Sequence, residues 1–277
     1  MSTSILPLLF FLMTQSVGLP DPSAMKGWSD EFDRPAIDTT LWSFEEGFIR
    51  NHEGQYYTNR PENAYIEEGC LVLEARREPF SNARYNPESD RWQDQWETAA
   101  YTSASLHTAG KREFLYGRME VRAKLPAGRG VWPAIWTLGN KMGEDIPWPD
   151  RGEIDIMEFV GYNPGMIYAN VHTGAYNWVA GTNKGDSIRI EDASTAFHVY
   201  AIDWTPERID FYVDSTHYFS FERDVEADFQ RWPFDRPQAL KLNLAIGGNW
   251  GGRQGIDTTI FPQRYYIDYV RYTPFSP

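Results

Sequence analysis

Apolar residues in this chain recur with period two, and that habit narrows the folds open to it more than any other feature. Arg118-Met119-Glu120-Val121-Arg122-Ala123-Lys124-Leu125 alternates charged and apolar residues without a break. Leu71 to Arg76, Ile209 to Asp214 and Tyr265 to Tyr272 follow the same rule. Successive side chains of a strand point to opposite faces, so each run reads as a strand with one face buried. Leu240 to Ile246 alternates too, but its second face carries Asn243 rather than a row of charges, and that face is expected to look into a site. Turn signals separate the runs: Glu68-Gly69, Pro126-Ala127-Gly128, Asn163-Pro164-Gly165 and Asp214-Ser215. No segment sustains helical periodicity over three turns; Asp224 to Gln230 is expected to make one short helix. Many strands joined by turns, with no helices between them, imply an all-β sandwich of two antiparallel sheets. The long polar stretch Pro79 to Ala100, carrying Trp92 and Trp96, reads as irregular: either one wall of a cleft or a plain surface excursion.

A chain of 277 residues is long enough for one large domain, expected over residues 19–277. Ile5 to Met13 has the length of a signal-peptide apolar core and is too short to span a bilayer, and Ser16-Val17-Gly18 offers a cleavage site. Residues 1–18 are therefore read as a signal peptide, although no Lys or Arg precedes the apolar run, and the mature protein as secreted or periplasmic. No later stretch is apolar enough for a membrane span, and a monomer is the default. The net charge of −13 argues against nucleic acid, whose phosphates need clustered Lys and Arg, and against polyanionic polysaccharides; a neutral glucan is unaffected. Cys70 is the only cysteine, which excludes an intramolecular disulfide and a cysteine-based zinc site. The 11 Trp and 16 Tyr suit either platforms for the C–H faces of sugars or a tryptophan-rich core.

Chemistry concentrates in Gly152-Glu153-Ile154-Asp155-Ile156-Met157-Glu158. On a strand Glu153 and Asp155 share a face, and strict alternation sends Glu158 to the other. The pair Ile156-Met157 supplies one residue too many, which a β-bulge absorbs, returning Glu158 to the face of Glu153. Like charges in a row cost stability, so an acidic solvated strand face competes with a catalytic one. Glycoside hydrolysis needs such a set: one carboxylate attacks the anomeric carbon while a protonated carboxyl serves the leaving oxygen. The Cα atoms of Glu153 and Glu158 are expected roughly 13 Å apart at ~3.3 Å per residue. Their side chains, leaning together, bring the carboxyls to the about 5–5.5 Å of a retaining enzyme. Asp155, between them, hydrogen-bonds the nucleophile and holds the two pKa values apart.

At Glu153-Ile154-Asp155-Ile156-Met157-Glu158 the chain resembles glycoside hydrolase family 16, within its bulged E-x-D-x-x-E branch of laminarinase-like endo-β-1,3-glucanases. Trp28-Ser29-Asp30-Glu31-Phe32-Asp33, Gln55-Tyr56-Tyr57-Thr58, Trp132-Pro133-Ala134-Ile135-Trp136, Val171-His172-Thr173 and Asn243-Leu244-Ala245-Ile246-Gly247-Gly248 carry the likeness in family order, over about residues 27 to 273. The resemblance implies a jelly-roll sandwich of the concanavalin type with a concave substrate cleft, and endo-acting hydrolysis of β-1,3-glucosidic bonds in laminarin-type β-glucans with retention, mixed 1,3-1,4 chains being a further substrate. It implies Glu153 as nucleophile, Asp155 as its helper and Glu158 as acid/base. Trp132 and Trp136 match glucose-stacking positions, His172 borders the catalytic subsite, Asn51 matches a glycone-side hydrogen-bonding residue, and Trp250 lies on a glycine-rich loop that approaches substrate. No cofactor is implied for catalysis; a structural calcium ion is, at Glu31, the Gly69 carbonyl and Asp268, tying the two chain ends together with oxygen ligands. Ser105 stands where many members carry Arg, and Gly54 where a larger residue is common. An agarase- or carrageenase-type hydrolase of the same family and a non-catalytic β-glucan-binding module are the alternatives; the sulfated substrates fit the acidic charge poorly, and binding modules have lost one or both glutamates that are present here.

Overall fold

The computed structural model describes residues 25–140 and 145–275; the segment read as a signal peptide lies outside them. Two sheets stack face to face as a jelly-roll sandwich. In the ten-stranded sheet the main path runs from Thr216–Glu222 through Arg208–Val213, His198–Trp204, Gly117–Lys124, Gln263–Thr273, Cys70–Ser81 and Thr98–Ser103 to Gln55–Tyr57. In the eight-stranded sheet it runs from Lys184–Arg189 through Met166–His172, Glu153–Phe159, Val131–Gly139, Gln238–Ile246 and Ser105–His107 to Ser43–Phe44. Among the described residues the pairings are antiparallel with one exception: Gln55–Tyr57 lies parallel to Thr98–Ser103. The chain passes from one sheet to the other at Ala104, buried between Ser103 and Ser105.

Alternation fixes what each strand buries. Gly117–Lys124 buries every second residue, and its Met119, Val121 and Ala123 join Ile135, Ile154, Leu242, Leu244, Ile267 and Val270 in the shared core. Removing a side chain of this size from water contributes about 1.5–3 kcal/mol, so the stacked faces hold the sheets together. Gln238–Ile246 is buried along its whole length. One of its faces belongs to the core, and the other, with Lys241 and Asn243, forms part of a cleft floor.

Two local expectations change. Asp224 to Gln230 forms turns rather than a helix; Val225 is fully exposed and Phe229 partly so, leaving no apolar stripe to dock a helix. The stretch Pro79 to Ala100 is less irregular than its composition suggests. The strand Cys70–Ser81 runs into it, a short helix covers Trp92–Gln95, and Thr98–Ser103 resumes the sheet. No residue between 82 and 97 lines the cleft. This excursion braces the segment that does: Arg84 donates to the Phe48 carbonyl and Gln93 to that of Ile49, while Trp92 stacks on His52 with centroids 4.4 Å apart.

The positions matched to calcium lie where the chain ends meet. Arg271 grips Glu31 with two bonds of 2.9 and 2.7 Å, and Arg122 donates to Asp268 at 2.5 Å. Gly69 turns between the strands Ala64–Glu67 and Cys70–Ser81 with φ of 76°.

Candidate active site

The bulge falls where the sequence places it. Asp155 faces Asn170 and Glu158 faces Tyr168, so the two residues Ile156 and Met157 lie opposite the single Ala169. The neighbour on the other side shows the same slip, between Ile135 and Trp136. Ile154, Ile156 and Met157 are fully buried in the core, and Glu153, Asp155 and Glu158 line one cleft of about 850 Å³ on the opposite face. Gly152 sets the strand's entry. Its φ is 81°, and a Cβ there would meet Pro233 at 2.7 Å.

Each acid is held by a different donor. Trp132 Nε1 donates to Glu158 Oε1 at 3.0 Å and Asn170 Nδ2 to Glu158 Oε2 at 3.1 Å. Trp148 Nε1 donates to Glu153 Oε2 at 3.0 Å. His172 Nε2 lies 3.2 Å from Asp155 Oδ2 and 3.9 Å from Glu153 Oε1. These three side chains form the one cluster among the described residues with the donor types of a metal site.

Burial first, and the charge of Asp155 second, push both Glu153 and Glu158 up to about 8, with His172 offsetting part of the effect in each. Burial alone pushes Asp155 up to about 8. Three adjacent carboxyls shielded from water do not all ionise near neutral pH, so protons remain in the cluster. Glu153 is the most open of the pair it forms with Asp155, with 15% of its side chain exposed against 5%, and it has the Trp148 N–H and His172 beside it.

All of the sequence-predicted substrate residues line this cleft: Asn51, Trp132, Trp136, His172 and Trp250. Their contacts refine the expectation. The Trp132 indole is an anchor for Glu158 as well as an apolar surface, and it packs edge-on to Trp250 at 5.6 Å. Gly251 explains the glycine-rich loop that carries Trp250: a Cβ there would lie 2.8 Å from that of Trp132. Trp136 donates to Asn243 Oδ1 at 2.7 Å, and the cations of Lys241 and Arg50 sit 4.6 and 5.1 Å from its ring. Asn51 adopts φ of 55°, a left-handed conformation that Asn tolerates, and its carbonyl accepts from the Asn249 amide.

Several cleft residues escaped the sequence reading. Glu45 bonds Arg50, Lys241 at 2.6 Å and Ser105 at 2.6 Å. The two cations hold its carboxyl far below the carboxylate range against the cost of burial, and burial with the Arg50 charge pulls Lys241 down to about 8. Ser105 thus sits beside a guanidinium supplied by Arg50 from another element. Glu53, Trp148, Asn170, Trp178 and Asn183 also line the cleft. Alternation alone points to Asn170, two residues before His172 on the same strand face; Trp148, in a loop, has no such signal.

Residues 51–271 match the glycosyl hydrolases of family 16. Over 253 residues the chain is 49% identical to a beta-glucanase of Rhodothermus marinus, an alignment covering 88% of this chain and 83% of that protein. The X-ray structure of the laminarinase from Rhodothermus marinus superimposes with a TM-score of 0.79 at 46% identity, over 90% of this chain and 97% of that one. SCLam, a non-specific endo-β-1,3(4)-glucanase of family 16, gives a TM-score of 0.79 at 40% identity, over 93% of this chain and 94% of that one.

Proposed function

This chain belongs to the family 16 glycosyl hydrolases, and from that premise we propose that Glu153 is the nucleophile and Glu158 the acid/base of an endo-acting, retaining hydrolysis of β-1,3-glucosidic bonds. The observation that carries the reading is the bulge, which puts both carboxyls on one cleft face with Asp155 between them. Kinship to the laminarinase and to SCLam supports laminarin-type glucans as substrate and mixed 1,3-1,4 chains as a second one.

The Glu153 carboxylate attacks the anomeric carbon while the Glu158 carboxyl gives its proton to the departing glycosidic oxygen, leaving a covalent glycosyl ester on Glu153. Glu158, now ionised, takes a proton from water; the water oxygen attacks the same carbon, the ester bond breaks and Glu153 is regenerated as a carboxylate. Trp132 and Asn170 aim Glu158 through both steps, and Trp148 aims Glu153. The site uses residues of one chain, which suits a monomer. Among the described residues no helix is long and apolar enough to cross a membrane. A polymeric substrate that stays outside the cell suits export directed by residues 1–18.

The pH dependence follows from the same crowding. Activity requires a proton on Glu158, so kcat/KM falls on the alkaline side as pH rises through about 8. The Asp155 charge raises Glu158, so Asp155→Asn lowers the Glu158 value and moves this alkaline fall to lower pH. A pH–rate profile with the fall unmoved or shifted upward would remove Asp155 from that role.

At the positions matched to calcium, Glu31 and Asp268 each hold a guanidinium, so the ion pairs alone are enough to brace this corner. Those ion pairs tie the last strand to its neighbours Trp28–Asp30 and Gly117–Lys124. Treatment with a chelator is expected to leave the melting temperature unchanged; a clear drop would show an ion displacing both arginines.

A further inference from the structure

The cleft continues past the catalytic strand, over Met166–His172, to a rim where an indole stands in water. Trp178 is 52% exposed, and among the tryptophans of the described residues only Trp96, remote from the cleft lining, is more so. Its exposure is not the result of a loose loop. Asn177, itself buried, clamps the turn: its side chain donates to the Thr173 and Gly174 carbonyls and accepts from the Ala180 amide, while Thr182 bonds its backbone from both directions. The Gly181 amide closes the turn on the Trp178 carbonyl. A rigid turn that holds a large apolar ring against solvent loses stability unless something covers the ring, and it binds with little ordering cost when something does.

The neighbours say what fits. The Trp178 ring lies 6.2 Å from that of Trp148, inclined by 40°, so the two indoles form a shallow apolar trough. Trp148 is fixed by its bond to Glu153, which registers the trough on the nucleophile. Asn183, on the same rim, donates to Asn170 at 2.9 Å, and Asn170 donates to Glu158. Apolar rings with an amide beside them suit the C–H face and hydroxyls of an uncharged sugar. The opposite end of the cleft, with Arg50, Lys241 and Glu45, is ionic instead.

We propose that Trp178, with Trp148 and Asn183, forms an additional sugar-binding subsite at the far end of the cleft from Arg50, which favours longer glucan chains. This rests on the glucanase reading above and deepens it. Its signature is dependence on chain length. kcat/KM measured for laminarin oligosaccharides from laminaritriose to laminariheptaose should fall in Trp178→Ala by about tenfold for the longest, through KM, with the deficit shrinking toward the shortest cleaved substrate. Trp178→Phe, which keeps a flat apolar face, should recover most of the loss. A deficit equal at every length, or none at any length, would overturn the subsite while leaving the glucanase reading intact. A wild-type protein that cleaves none of these oligosaccharides would overturn the glucanase reading itself.

Discussion

Glu153→Gln should abolish release of oligosaccharides from laminarin, lowering kcat by at least about 10⁴-fold, the scale on which removing a nucleophile acts. The amide matches the carboxylate in size and can still accept the Trp148 indole bond, so the cleft keeps its shape while losing the electron pair that attacks the anomeric carbon. Stability should move the other way. The folded-state value of Glu153 lies above its unfolded one, so the penalty of ionising it in the fold is absent below about pH 4.5 and grows as pH rises toward about 8. Glu153→Gln removes that penalty. The variant should melt above the wild type at pH 8 to 9 and close to it at pH 5, with about 2–4 °C for each kcal/mol relieved. Hydrolysis surviving in this variant would remove Glu153 as nucleophile, and an unchanged melting temperature at high pH would remove the repulsion argument.

Glu158→Ala should cost about 10²–10⁴-fold on laminarin, the range of a lost general acid. The loss should be much smaller on aryl glycosides whose leaving group needs no proton. With such substrates the glycosyl ester on Glu153 forms and then waits, because no base activates water. Azide, a nucleophile that needs no base, should restore turnover in the space the side chain leaves beside Trp132 and Asn170.

How far the sequence reached is set by which interactions are periodic. Alternation located the strands, and the surplus residue at Ile156-Met157 announced the bulge, because a strand with one buried face cannot slip by one residue without exposing its core. The acids, His172 and both cleft tryptophans of Trp132-Pro133-Ala134-Ile135-Trp136 were legible from the family pattern these strands carry. The Glu45–Arg50–Lys241 cluster was not. Glu45 and Lys241 are 196 positions apart and meet only through sheet order, although Lys241 shares a strand face with Asn243 and was there to be found. Trp148 lies in a loop, where position follows from turn geometry rather than period. The excursion after Pro79 is irregular over residues 82–91, as its composition says, but that composition hides the strand ends on either side and the short helix Trp92–Gln95; the stretch serves the cleft at one remove, by holding the segment that bears Asn51.

In the proposed mechanism two carboxyls of one bulged strand divide the labour, Glu153 forming the ester and Glu158 moving the proton. The anomeric configuration of the azide product of Glu158→Ala tests it most directly. Azide attacking an ester on Glu153 inverts that carbon a second time, so NMR of the product should show a β-glycosyl azide. An α-glycosyl azide would mean that azide had replaced the nucleophile itself, and the roles assigned here to Glu153 and Glu158 would be contradicted.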